Sequence, residues 1–241
     1  AFAAAVAEAF LDESLRQGTT TAMVYGSVHA ASVDAIFAAA ERRGLRLIAG
    51  KVLMDRHAPA ALTDTAQSGY DDSRALIARW HGRGRLGYAV TPRFAPPSTP
   101  AQLDAAGALL HEHPGVWLQT HLAENRDEIA WVARLFPGSR DYLDVYASHG
   151  LVGRRSVFGH GIHLAEDAWR RLHDAGAAQA GHHHDVDVLQ REPRHEPIEV
   201  SGARFHRRGV RSHRGHVPAG ECVTADQRSR GAEERERQRL V

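Results

Sequence analysis

The stretch Gln119-Thr120-His121-Leu122-Ala123-Glu124-Asn125 follows the apolar run Gly115-Val116-Trp117-Leu118 and precedes a charged amphipathic segment, Arg126 to Leu135. This order predicts a buried strand that ends in a site, with a helix leaving it. His121 and Glu124 are three residues apart at that junction, so their side chains can share one pocket. An imidazole can bind a divalent metal there, and a carboxylate can move protons beside it. The H-x-x-E spacing alone has low specificity, because many such pairs are surface residues.

The composition is typical of a globular enzyme. The 241 residues are 43% hydrophobic and carry a formal net charge of +1, which indicates no polyanionic partner. Cys222 is the only cysteine, so no internal disulfide can form and we expect a cytoplasmic protein. No run of about 18 apolar residues occurs, and the apolar residues 1–6 lack the basic segment of a signal peptide. We therefore expect no membrane partner.

The character of the chain changes near residue 180. Residues 1–180 alternate apolar runs with helical patterns, whereas residues 181–241 are rich in Arg, His, Glu and Gly with almost no apolar periodicity. The second part cannot bury enough apolar surface to offset its ordering entropy, so we predict a disordered tail. An alternative is that His182-His183-His184-Asp185 binds a metal or that the arginine runs bind nucleic acid. Interleaved acidic residues and few aromatics argue against nucleic acid as a partner.

The first 176 residues repeat a strand–helix pattern about five times, with short connections. This pattern predicts parallel strands joined by helical crossovers. Both an open doubly wound sheet and a (β/α)8 barrel fit it. The absence of a Gly-x-Gly-x-x-Gly motif after any strand and the polar residues at several strand ends favour the barrel. The predicted strands cover residues 19–25, 45–54, 85–90, 116–120 and 156–159, and the predicted helices begin at Ala3, Val33, Asp71, Pro100, Asp127, Tyr142 and Asp167.

Taken singly, the polar and aromatic candidates have ordinary explanations. Arg93 fits a surface charge, Phe94 fits the core, and His160 fits a tight turn between two glycines. Asp55 lies at a strand end without a matching metal role, so we expect it to be structural. His29 is a further candidate for the mouth of a pocket.

Five segments together resemble guanine deaminases, which are metal-dependent (β/α)8 barrel enzymes of the amidohydrolase superfamily. The resemblance covers about Phe10 to Gly176. The combination of TPRF with H-x-x-E-N is similar to guanine deaminases in particular, whereas H-x-x-E with a later histidine fits many deaminases and chlorohydrolases. The segments are FLDESLRQGTTTA (10–22), GKVLMD (50–55), TPRF (91–94), QTHLAENRDEI (119–129) and GHGIHL (159–164).

The resemblance implies a role for each matched residue. His121 matches the zinc-binding histidine at the end of the family's fifth strand. Glu124 matches the acid that moves protons between water and the purine, and His160 matches the histidine that orients the attacking water. Arg93 and Phe94 match the residues that bind the purine through its carbonyl oxygen and its ring face. The implied reaction is hydrolysis of guanine to xanthine and ammonia by a zinc-activated water, in an enzyme that is commonly a homodimer.

Three parts of the family pattern are absent from the sequence. They are the H-x-H pair of the first strand, the H-C-P-x-S-N motif of the seventh and the Thr-Asp that ends the eighth. Of four protein ligands to zinc, only His121 is present, so we expect impaired activity and a partial barrel without its first and last strands. We hypothesise a fragment whose tail is read out of frame. The alternatives are another zinc amidohydrolase, acting on an aminopurine, pterin or triazine, and a non-catalytic remnant.

Overall fold

The structure is a computed structural model that describes residues 1–181, which alternate strands with helices. The predicted tail, apart from Gly181, lies outside the described residues. None of the described helices is both long enough and apolar enough to cross a membrane. The strands are β1 (Thr21–Tyr25), β2 (Arg46–Gly50), β3 (Val52–Leu53), β4 (Leu86–Pro92), β5 (Trp117–Leu122), β6 (Ser156–His160) and β7 (Ala178–Ala180). The helices are α1 (Phe2–Arg16), α2 (Ala30–Arg42), α3 (Ala66–Trp80), α4 (Pro100–Glu112), α5 (Arg126–Leu135), α6 (Tyr142–Ser148) and α7 (Glu166–Asp174), with a 3-10 turn at Ala60–Leu62.

The strands form one parallel sheet that curls into part of a barrel. Their order is β1-β2-β4-β5-β6-β7, and β3 also pairs with β4. Because neighbouring strands follow the order of the chain, the described sheet has no reversal point, which a doubly wound fold requires. The side-chain amide of Gln119 on β5 donates to the carbonyl of Val24 on β1 at 2.9 Å, although two strands lie between them. The prediction of a partial (β/α)8 barrel is therefore confirmed.

Helices cover the sheet, as expected for parallel strands that are rich in apolar residues. Every residue of β4 is buried, which is typical of a parallel strand with packed groups on both faces. Phe37 of α2, Leu76 of α3 and Leu109 of α4 belong to the same buried cluster as Leu118 of β5. This packing fixes the carboxyl ends of the strands at one rim of the sheet, where the candidate site lies.

Several predicted boundaries were wrong for local reasons. Helix α3 begins at Ala66 rather than Asp71, because Thr65 and Ser68 form a reciprocal capping box. The strand predicted at residues 45–54 is divided into β2 and β3 at Lys51. Helix α2 begins at Ala30 rather than Val33, and the sequence pattern had not indicated the short strand β7, which pairs with β6.

Candidate active site

Three candidate side chains lie in a row at the carboxyl ends of β5 and β6. The rings of His121 and His160 stack with their centroids 5.4 Å apart. Nε2 of His160 lies 3.4 Å from Oε2 of Glu124, and these two side chains are 35% and 48% exposed. We call these three residues the His–His–Glu row. It combines two imidazoles and a carboxylate that solvent and a small ligand can reach.

The orientation of His121 is determined by the end of β4. Its Nδ1 lies 2.7 Å from the carbonyl oxygen of Arg93, and its backbone N–H donates to the same oxygen at 3.1 Å. Because a carbonyl can only accept, Nδ1 carries a proton, and in the neutral imidazole Nε2 then has the free lone pair. His121 is thus arranged as a metal-binding or proton-accepting imidazole, with a second hydrogen bond that sets its tautomer.

The turns that present Glu124 and His160 are bonded to each other. Ala123 and His160 adopt left-handed backbone conformations, with φ of 49° and 67°. The amide of Gly161 donates to the carbonyl of Leu122 at 2.7 Å, and the amide of His163 donates to Ala123 at 3.2 Å. Left-handed non-glycine residues are costly and concentrate at functional sites, where surrounding bonds hold them. Here those bonds keep the two turns in register.

Two clefts adjoin the row, and they divide the predicted substrate-binding residues. Arg93 and His121 line a cleft of about 430 Å³, together with Tyr25, Gly26, Ser27, Val28, Val52, Met54 and Leu62. Phe94 and Glu124 line a second cleft of about 550 Å³, together with Asn125, Asp127, Glu128, Trp131 and Arg134. The structure thus brings together His121, His160 and Glu124 and places Arg93 in the cleft of His121. Phe94 lines the other cleft, although the Arg93 guanidinium lies over the Phe94 ring, 6.0 Å from its centroid.

The sequence analysis missed two site residues. The ring of Tyr25, at the end of β1, lies 4.7 Å from the His121 ring, and burial raises the pKa of the Tyr25 hydroxyl. Glu128 is 8% exposed, its Oε1 has no hydrogen-bond partner among the described residues, and burial raises the pKa of its carboxyl. The charge of nearby Glu124 raises that pKa further. Glu128 lies in the first turn of α5, four residues after Glu124, where an acidic residue is favourable and could have been noted.

The described residues do not make up a complete metal site. Within residues 1–181, no group of three or more His, Cys, Asp or Glu side chains could hold a metal ion. His121 fits one ligand, since its Nε2 is free of the Arg93 bond, whereas catalytic zinc uses about three protein ligands. Asp55 accepts from both the backbone N–H and the hydroxyl of Thr99, at the start of α4. That arrangement agrees with the structural role expected for Asp55.

Comparisons with known proteins agree with this geometry. A model of the amidohydrolase family matches residues 1–195. The guanine deaminase of Escherichia coli K12 is 54% identical over 171 residues, which are 71% of this chain and 39% of that protein. The solved E. coli guanine deaminase superposes with a TM-score of 0.74 at 52% identity, over 75% of this chain and 42% of that one. A guanine deaminase from C. acetobutylicum, solved with guanine bound in the active site, has a TM-score of 0.70 at 26% identity over 74% and 44% of the two chains. The chain spans about two fifths of the length of these relatives.

Proposed function

Because the chain belongs to the amidohydrolase family, we propose that it carries part of the active site of a guanine deaminase, a hydrolase that converts guanine to xanthine and ammonia. The observation that supports this most is the His–His–Glu row, at the ends of neighbouring strands of a partial barrel. The 54% identity to a guanine deaminase supports guanine as the substrate. Since the chain spans only 39% of the E. coli relative, catalysis by the whole protein is part of the proposal.

Glu124 is the residue that moves protons. Its carboxylate accepts a proton from the attacking water, delivers it to a ring nitrogen of the purine and then assists the departure of ammonia. His160 lies 3.4 Å from that carboxylate and orients the water through Nε2. The exposed carboxylate can turn between water and substrate, whereas the bonded turn beneath it stays fixed.

Substrate binding uses the residues after β4. The Arg93 guanidinium shares a cleft with His121 and donates to the purine carbonyl oxygen. The Phe94 ring packs on the base face, which requires the purine to extend toward the second cleft, where Phe94 and Glu124 meet. Each cleft exceeds the lower end of the usual volume range for small-molecule sites, about 300 Å³.

Zinc is the proposed cofactor, and His121 would supply one ligand through Nε2. The remaining ligands would come from outside residues 1–181. When bound, the metal supplies a water that is activated for attack. We further propose a cytoplasmic location, a small heterocycle as partner and association into a homodimer. The first agrees with a single cysteine, and the last rests only on the resemblance.

A chimera tests the substrate assignment. The matched 171 residues of this chain replace the corresponding segment of the E. coli guanine deaminase. Ammonia release is then measured with guanine, adenine, a pterin and an aminotriazine in the presence of zinc. We expect guanine to be turned over well above the other three. Equal turnover of all four would contradict guanine as the substrate and favour a broader zinc amidohydrolase.

A non-catalytic remnant is the second candidate, and one observation favours it. The part of the chain that the structure describes does not complete a metal site. Under this alternative, the isolated chain with added zinc releases no ammonia from guanine while the chimera does. If the isolated chain turns over guanine and Glu124→Gln abolishes that turnover, the non-catalytic alternative is excluded.

A further inference from the structure

We propose that Tyr142 and Tyr146 of α6, here called the tyrosine pair, are positioning residues for the His–His–Glu row. This inference rests on the proposed function for the meaning of that row. Both tyrosines are buried, and neither lines the two clefts that adjoin the row. Its contacts reach the segments that carry Phe94, His121, Glu124 and His160.

Tyr146 holds the end of β5. Its hydroxyl donates to the carbonyl of His121 at 2.7 Å and accepts from the hydroxyl of Thr120 at 3.1 Å. Tyr146 and Thr120 are both fully buried. Water therefore cannot replace either bond, and each lost bond leaves a buried polar atom unpaired.

Tyr142 holds the end of β4 and the start of α5. Its hydroxyl accepts from the backbone N–H of Ala95 at 3.4 Å, directly after Phe94. Its side chain also lies close enough to Glu128, in the first turn of α5, to offset part of the rise that burial causes in the pKa of that carboxyl. Tyr142 is 4% exposed, so its bond from Ala95 is protected from water.

The pair also reaches β6. The rings of Tyr142 and Tyr146 stack at 5.7 Å, and the Tyr146 ring lies 5.7 Å from that of Phe158. Phe158 precedes His160 by two residues on β6. One short helix thus contacts the segments that carry Phe94, His121, Glu124 and His160.

These contacts matter most for the imidazole of His121. Its Nδ1 bond to Arg93 crosses from β5 to β4. Tyr146 holds the end of β5 through the His121 carbonyl, and Tyr142 holds the segment after β4 through the Ala95 amide. If either hydroxyl is removed, the two strand ends can separate at this point, and Nδ1 loses the acceptor that holds its proton.

Two conservative variants test the inference, with a third as the matched control. Tyr146→Phe and Tyr142→Phe keep the rings and remove the hydroxyls. Tyr88→Phe removes another buried hydroxyl, which accepts from the Lys51 amide at 3.3 Å on a different part of the sheet. The full chain, labelled with ¹⁵N, is compared by imidazole NMR at pH 8 and by amide hydrogen exchange.

In the native protein we expect His121 in the Nδ1–H tautomer. We expect a severalfold loss of that preference in Tyr146→Phe and in Tyr142→Phe, with faster exchange at Ala95 in Tyr142→Phe only. Tyr88→Phe should accelerate exchange at Lys51 and leave His121 unchanged. The amide of Phe37, in the core of α2, should keep its protection in all three variants, which separates a local effect from general destabilisation.

An unchanged His121 tautomer in both folded site variants would overturn the inference, and so would an equal change in Tyr88→Phe. If Tyr146→Phe fails to fold, Thr120→Val removes the donor to the same hydroxyl and is read in the same way. Neither readout depends on guanine turnover, so a failed deaminase assay would leave this test intact.

Discussion

Removing one partner of the buried ion pair between Lys51 and Asp64 should be among the most destabilising single changes, and the pair supports a wall of the Arg93–His121 cleft. The Lys51 side chain is 1% exposed and that of Asp64 is 9% exposed. Asp64 also accepts from the Met54 amide at 3.2 Å. Met54 lines the cleft, so the pair ties that wall to the junction between β2 and β3.

The structure predicts unequal effects for the two single variants. Removing one partner of a buried pair costs about 3–5 kcal/mol, because the other charge is left uncompensated. Asp64→Asn should lie near the upper end, since the nearest other acid to Lys51 is Asp72, at 4.0 Å and 48% exposed. Lys51→Met should lie near the lower end, because Asp64 keeps its bonds from Met54 and from the Gln102 amide at 2.7 Å.

Urea unfolding of the single variants and of the double variant measures these effects. The double variant should lose several kcal/mol less than the sum of the singles, since neither charge is then left alone. Glu166→Gln is the control, because its pair with Arg170 is 3.7 Å long with side chains 79% and 70% exposed. That variant should cost below about 1 kcal/mol. A loss in Asp64→Asn no larger than in the control would refute this reasoning.

Three other perturbations have defined outcomes. Gln119→Leu removes the donor to the Val24 carbonyl and should lower the free energy of unfolding in urea by about 1–3 kcal/mol. Amide exchange in β1 should also become faster, and unchanged exchange there would contradict the cross-sheet bond. The pKa of Glu128 is raised in the folded protein, which therefore keeps a proton that the unfolded chain releases above about pH 4.5. The free energy of unfolding should consequently fall as pH rises from 4.5 toward the folded pKa. Glu128→Gln should remove that fall, and an identical pH profile in the variant would show that another group causes it. His121→Ala should lower the zinc content of the purified chimera severalfold, whereas full retention of zinc would contradict its role as a ligand.

Local signals were sufficient for the elements around the row. The apolar run before His121 and the amphipathic residues after Asn125 gave a strand and a helix in the right places, because both are decided by neighbours in sequence. The alternation of such elements also indicated a barrel. The early start of α3 was visible as well, in the Thr65 and Ser68 pair, whose capping role was not recognised.

Contacts between distant segments could not be predicted in this way. Gln119 and Val24 are 95 residues apart, and only the curl of the sheet brings them together. The same is true of Tyr25 beside His121, which depends on how far β1 approaches β5. Neighbours in sequence can also lie apart in the site. Arg93 and Phe94 are adjacent and were both assigned to purine binding, yet they line different clefts.

Ammonia release from guanine by the chimera, compared between Glu124→Gln and Glu166→Gln, tests the central claim most directly. Both changes remove one exposed carboxylate, but only Glu124 lies in the His–His–Glu row. The account predicts that Glu124→Gln lowers kcat by about 10²-fold or more, as expected for loss of a general acid–base, while Glu166→Gln stays near the unmodified chimera. Equal activity of the two variants in a zinc-loaded, folded chimera would contradict the assignment of Glu124 and the deaminase proposal built on it.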